Sequence, residues 1–325
     1  MSIVYGPVPS RRLGRSLGIN NIPPKICSYS CIYCQVGQTT HMQAERGNFY
    51  DPISIASATK KKIKQCREKG EQIDYLTFVP DGEPTLDANL GKELELLRPL
   101  GIKIAVITNA SLLWREDVRQ SLREADWVSL KVDTVTKETW RRINRPQKTL
   151  KLENVLAGML EFANNFEGKL TTESMLIAGI NDSSEEIEKL ADFLEELKPD
   201  KAYLAIPIRP PALKTVSAAS EEALNMAYQV FIDRLVKAEY LIGYEGNTFA
   251  STGDAKDDLL SITAVHPMRE EAVTKLLNRT GASWEAVEEL IDGGSLVQLE
   301  YQGKRFYTRR LPTPETGRSF SLPDE

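Results

Sequence analysis

Ile26-Cys27-Ser28-Tyr29-Ser30-Cys31-Ile32-Tyr33-Cys34 places three cysteines within nine residues, at C-x3-C-x2-C spacing. Only Cys66 lies elsewhere. Three thiols on so short a loop can wrap one metal centre. Iron–sulfur clusters are normally held by four cysteines, so this loop reads as a 4Fe–4S cluster with one iron left for an external ligand. It also reads as a structural zinc site completed by His41, because zinc accepts a Cys3His set. A disulfide framework does not suit a chain this long, this poor in cysteine and without a secretory segment.

The 325 residues, 41% of them hydrophobic, predict one large domain or two unequal ones with a substantial core. A net charge of −5 and a pI near 5.5 give no global attraction to phosphate backbones, so nucleic-acid binding would need a local patch. The first residues read as neither a signal peptide nor a transit helix. No apolar run reaches the ~18 residues that span a bilayer. Unpaired cysteines without an export signal predict a reducing cytoplasm and no membrane partner.

Strand and helix patterns alternate along the chain. Apolar runs at 17–22, 75–79, 102–107, 127–132, 170–178 and 201–206 read as six strands. Helical patterns separate them, at about 53–69, up to 100, beyond Leu112, near 135–144 and 151–164, after a cap at Asp182 or Ser183, and at 219–238. Repeated β–α units predict a parallel sheet, and in barrel versions the chemistry sits on the loops after the strands. Arg11, Arg12 and Arg15, set among glycines and prolines, could tie down the cysteine loop or touch an anionic ligand, and read more simply as a solvated arm. Cys66, within a helix, reads as structural.

Ser129, Lys131 and Asp133 share one face of the fourth strand by its period of two. Such a row on an otherwise apolar strand costs several kcal/mol unless it is paired or lines a cavity. It is therefore expected to line one, together with Asn109 at the end of the third strand and, as a weaker member, Glu173 on the fifth. His41 and His266 are too few and too scattered for a histidine-based catalytic set.

The cysteine loop resembles the signature of the radical S-adenosylmethionine (SAM) superfamily. That resemblance implies an open, six-stranded partial (βα)6 barrel resembling a TIM barrel, a 4Fe–4S cluster on Cys27, Cys31 and Cys34, and SAM chelating the fourth iron. It implies reductive cleavage of SAM to a 5′-deoxyadenosyl radical that takes hydrogen from a substrate, with a flavodoxin or ferredoxin as electron donor. Gly82-Glu83-Pro84 is similar to the family's glycine-glycine-glutamate motif, here with Asp81 in place of the first glycine, and implies contacts to the SAM ammonium. Tyr33 falls where an aromatic residue packs beside adenine. Ala205 and Ile206 match the apolar adenine contact, and Asn109, Ser129, Lys131 and Asp133 are the expected partners of the ribose and carboxylate.

The opening Val4-Tyr5-Gly6-Pro7-Val8-Pro9-Ser10-Arg11-Arg12-Leu13-Gly14 narrows the resemblance to a branch related to wyosine-base synthases, which modify tRNA. Those carry three further cysteines for a second cluster, and this chain has only Cys66 left. RNA or a nucleobase is the leading expected substrate, a protein or peptide the second. The reading of another class is a zinc-stabilised regulatory or binding protein.

The expected division is a barrel over 1–250, a linker at 251–256, a small domain over 257–312 and a loose tail at 313–325. The small domain's three helices and hairpin resemble a winged helix-turn-helix module. Its third helix, at the place of a recognition helix, carries Glu285, Glu288, Glu289 and Asp292, which repel phosphates. Only the wing is basic, with Lys304, Arg305, Arg309 and Arg310. A substrate- or partner-docking role is expected of it, with RNA contact through the wing as the alternative.

Overall fold

A computed structural model describes residues 3–242, 253–265 and 267–310. The expected tail at 313–325, His266 and all of 243–252, with the first two residues of the expected linker, lie outside those residues. From the N-terminus, β1 (Val4–Ser10) turns back antiparallel into β2 (Gly14–Ile19). The cysteine loop follows, with the two-residue strands β3 (Ile26–Cys27) and β4 (His41–Met42). Next come α1 (Pro52–Glu68), β5 (Tyr75–Phe78), α2 (Leu90–Leu97), β6 (Lys103–Thr108), α3 (Glu116–Leu122) and β7 (Trp127–Lys131). Then α4 (Lys137–Ile143) and α5 (Leu152–Asn165) precede β8 (Lys169–Met175), α6 (Ser184–Leu197) precedes β9 (Lys201–Ala205), and α7 (Glu221–Asp233) precedes β10 (Ala238–Leu241).

Eight strands form one sheet in the order β1-β2-β5-β6-β7-β8-β9-β10, parallel throughout except for β1. The six expected strands are β2 and β5 to β9, in sequence order. The sheet stays open, with β1 and β10 as its edges. Helices pack on it around one large core that includes Leu76, Phe78, Val106, Val128, Phe162 and Leu194. Among the described residues no helix is long and apolar enough to cross a membrane.

Three readings of the chain are corrected here. The N-terminal arm is an edge strand, where Pro7 and Pro9 are tolerated because one side needs no ladder partner. The Tyr5 ring lies over Gly18, where an added Cβ would come within 2.1 Å of it, and its hydroxyl donates to the Val79 carbonyl at 3.1 Å. The first inner strand runs three residues earlier than expected, because Gly14 pairs with Ser10 while Asn20 and Asn21 leave the sheet, buried. The helix expected to reach 238 stops at Asp233, since Leu235 takes a left-handed φ of 57°, and β10 follows.

The C-terminal residues form α8 (Ala255–Val265), β11 (Met268–Arg269), α9 (Glu270–Thr280), α10 (Glu285–Asp292), β12 (Leu296–Tyr301) and β13 (Lys304–Arg309). The strands make an antiparallel sheet ordered β11-β13-β12. Gln302 and Gly303, at φ 50° and 67°, supply the two left-handed positions of its tight hairpin. This unit has its own core, around Leu259, Val273, Leu276, Val287 and Tyr307, against which Val8 of β1 packs.

Gly158 of α5 sits where a Cβ would lie 2.4 Å from the backbone of Leu113 and Trp114. Gly158→Ala is expected to cost about 1–3 kcal/mol by overpacking, read as a lower urea midpoint with an unchanged slope.

Candidate cofactor site at the strand ends

The C-terminal ends of β2 and β5 to β9, with the loops after β2, β5, β6 and β9, meet at one cavity of ≈ 290 Å³, near the lower end of small-molecule sites. Its wall includes Cys27, Cys31, Cys34, Tyr33, Gly82, Glu83, Asn109, Lys131 and Ile206, with Lys25, Asp81 and Glu173. The cysteine loop is fastened to the end of α4. Ser30 N donates to Asn144 O and Ile32 N to Ile143 O, each at 2.9 Å, and Trp140 Nε1 donates to Tyr29 Oη at 3.1 Å. Two side-chain amides point at sulfur: Asn109 Nδ2 lies 3.5 Å from Cys27 Sγ and Asn144 Nδ2 lies 3.4 Å from Cys31 Sγ. Burial, with the Glu83 charge behind it, pushes the Cys27 thiol up to about 12. Burial and Asp133 push Cys31 up as well. Ligation of either sulfur must therefore expel a proton.

Gly82 is where the wall meets the loop. A Cβ there would lie 1.9 Å from the Ile26 carbonyl oxygen, which also accepts from Glu83 N at 3.1 Å. Only glycine permits that approach. The Glu83 carboxylate is fully engaged by protein. Oε1 accepts from Thr85 N (3.0 Å), Thr85 Oγ1 (2.5 Å) and Thr108 Oγ1 (2.5 Å), and Oε2 accepts from Asn109 N at 2.7 Å. Asp81 is the opposite case: it is 2% exposed, and neither carboxylate oxygen has a hydrogen-bond partner. Burial pushes its carboxyl up to about 7, against the pull of Lys25 and Arg309.

The remaining predicted residues divide between the wall and the layer behind it. Tyr33 is buried, donates to Asp133 Oδ2 at 2.5 Å and lies under the Lys131 ammonium, 5.2 Å from its ring centre. Asp133 stands behind the wall, also accepting from Asn144 Nδ2 (2.7 Å) and Met175 N (2.9 Å). Ser129 is further in, with Oγ 3.4 Å from Arg12 Nη1. Pro84 opens a buried 3-10 turn, and its carbonyl accepts from Asn21 Nδ2 at 3.1 Å. The His41 side chain is exposed on β4 and is not part of the wall. Among the described residues, no three His, Cys, Asp or Glu side chains are grouped as a cage for one metal ion.

Sequence reasoning missed Arg12, Lys25 and Asn144. Arg12 is largely enclosed rather than solvated, its side chain 11% exposed: its guanidinium lies 5.7 Å from both the Trp127 and Tyr203 ring centres and donates to Glu173 Oε2 at 2.5 Å. Lys131 bonds the other Glu173 oxygen. Burial alone would push Glu173 up, but the two cations outweigh it and pull the carboxyl down to about 2. A partner 161 residues away leaves no local signal of such burial.

The profile of the radical SAM superfamily matches residues 21–194, just over half of the chain. The chain belongs to the radical SAM superfamily. It is 48% identical over 313 residues to a UPF0026 protein of Methanocaldococcus jannaschii, covering 96% of this chain and 97% of that one. Its fold is similar to a radical SAM methyltransferase from Sphaerobacter thermophilus, at a TM-score of 0.54 and 16% identity over 70% of this chain and 66% of that one. TYW1 with a lysine–pyruvate adduct matches at 0.50 and 18% identity, over 66% of this chain and 72% of that one. The chain is thus a radical SAM enzyme, of a family whose cofactors are a 4Fe–4S cluster and SAM. Three thiols on one wall with two amide donors on their sulfurs suit a cluster that has an iron for each thiolate and one to spare.

Asp81 supplies a pH test. Because its folded pKa is raised from 3.8 to about 7, the folded state binds more protons than the unfolded between those values. Stability therefore falls as pH rises through that window. For the cluster-free protein, Asp81→Asn is expected to match wild type near pH 4 and to exceed it above pH 7 by roughly 1–4 kcal/mol, as read by urea unfolding at the two pH values.

Proposed function

We propose that Cys27, Cys31 and Cys34 hold a single 4Fe–4S cluster, and that the wall formed by Tyr33, Gly82, Glu83, Asn109, Lys131 and Ile206 holds SAM. The observation that carries this reading is the convergence of the three thiols and five further strand ends on one cavity. When bound, the reduced cluster supplies the electron that cleaves SAM to a 5′-deoxyadenosyl radical. The protein's part is placement. Glu83 fixes the backbone that faces the ligand, Asp81 offers an open carboxylate to an ammonium, and Lys131 faces the cavity for a carboxylate. Asp133 and Asn144 hold Tyr33 and the loop in register. The electron donor is a flavodoxin- or ferredoxin-type protein, as in a reducing cytoplasm.

The proposed substrate is a nucleobase, free or within RNA. What supports it is the charge around the mouth: Arg11 and Arg209 line the wall, and the Arg309 charge acts on Asp81. The C-terminal unit is read as a winged-helix-like docking module. Its Tyr301 hydroxyl donates to the Pro207 carbonyl at 3.0 Å, in the loop that closes one side of the cavity. A protein substrate would instead be signalled by hydrogen-atom loss from protein rather than from RNA fractions.

Incubation with SAM and dithionite without oxygen is expected to yield 5′-deoxyadenosine. Asn109→Ala and Asn144→Ala should lose roughly 10–100-fold, the usual cost of removing a group that supports a metal ligand, and each Cys→Ala change should lose more. Wild-type rates from the cysteine variants would reject the site.

A further inference from the structure

Lys25 occupies a left-handed backbone conformation, φ 65°, that non-glycine residues seldom adopt. It is tied in place on both sides: its N–H donates to Asp81 O at 2.8 Å, and its carbonyl accepts from Thr40 N and His41 N at 3.2 and 3.0 Å. The side chain runs inward. Lys25 is 8% exposed, and its Nζ has no hydrogen-bond partner. An added Cβ on Gly37 would lie 3.4 Å from that nitrogen, and Gly37 N donates to Cys34 O at 3.1 Å. The ammonium thus sits under the cysteine loop. Burial disfavours its charged form, and the ionisable groups near enough to offset that are Cys34, Asp81 and Cys27, in that order. A buried ammonium without a hydrogen bond is strongly unfavourable, so this cation calls for an anionic partner beyond the protein's own groups.

A three-thiolate cluster would supply one. Its net charge is negative, and reduction by one electron makes it more so. We propose that Lys25 is a built-in counter-cation for that cluster, a positioning residue that favours its reduced state and so raises its reduction potential. This rests on the cluster assignment made above. The electron comes from an external one-electron donor, and Lys25 neither gains nor loses a proton in the step. Asp81, whose charge also acts on Lys25, moderates the same field.

The test is a potentiometric titration of the full-length, cluster-loaded protein, poised with mediators and dithionite and read by electron paramagnetic resonance. At a fixed potential, Lys25→Met is expected to lower the reduced-to-oxidised ratio about tenfold, a midpoint about 59 mV more negative for a one-electron couple, whereas Lys25→Arg stays within about threefold of wild type. A Lys25→Met ratio equal to wild type, or an equal fall in the Met and Arg variants, would overturn the proposal. Should Lys25→Met fail to retain iron, retention by Lys25→Arg supports a charge role, and loss from both overturns it in favour of side-chain shape. Absence of a cluster from the wild-type protein is a separate failure, that of the site assignment itself.

Discussion

Glu83 carries the constraint on which the site depends. Its carboxylate accepts four hydrogen bonds, from Thr85, Thr108 and Asn109, and so joins the ends of β5 and β6. Asn109, held through its backbone, turns its side chain to Ser28 Oγ at 2.9 Å and to Cys27 Sγ. One buried carboxylate thereby sets the distance between the strand ends and the first cysteine. Removing it would strand several buried donors, each costing about 1–3 kcal/mol. Gly82 completes the arrangement by letting this wall touch the Ile26 carbonyl.

The six inner strands were legible because each is a short apolar run between turn residues, the pattern of strands covered on both faces. The flanking strands were not. β1 contains Gly6, Pro7 and Pro9, which argue against a strand unless it lies at an edge. β10 has four residues and follows a left-handed Leu235 that nothing in the apolar spacing marks. In the site, the cysteine spacing and Gly82-Glu83 were readable from local sequence, as was the polar row on β7. Which members of that row face the cavity was not: Lys131 lines it, while Ser129 meets Arg12 and Asp133 backs Tyr33. Those roles depend on partners 42 to 117 residues away.

The electrostatics separate into two parts. Arg12, Glu173 and Lys131 form a closed buried network, in which a carboxylate is matched by two cations. Such a network rigidifies its surroundings, and with two cations to one carboxylate it keeps a net positive charge where Lys131 lines the cavity. Lys25 and Asp81 are the open part, two buried ionic groups without hydrogen bonds on the cavity side of the cysteine loop. The C-terminal unit adds to the same rim through Tyr301, while its Arg305 is engaged by Glu270 at 3.0 Å, so part of its basic wing is already spent on the unit's own fold.

The central claim is that the three-cysteine loop leaves one iron of a cluster free for SAM. Mössbauer spectroscopy of the full-length protein, loaded with enriched iron and compared with and without SAM, tests it most directly. The account predicts about four irons per chain, of which one site changes on adding SAM and the others do not. Spectra unaltered by SAM, or a preparation that retains no iron, would contradict it.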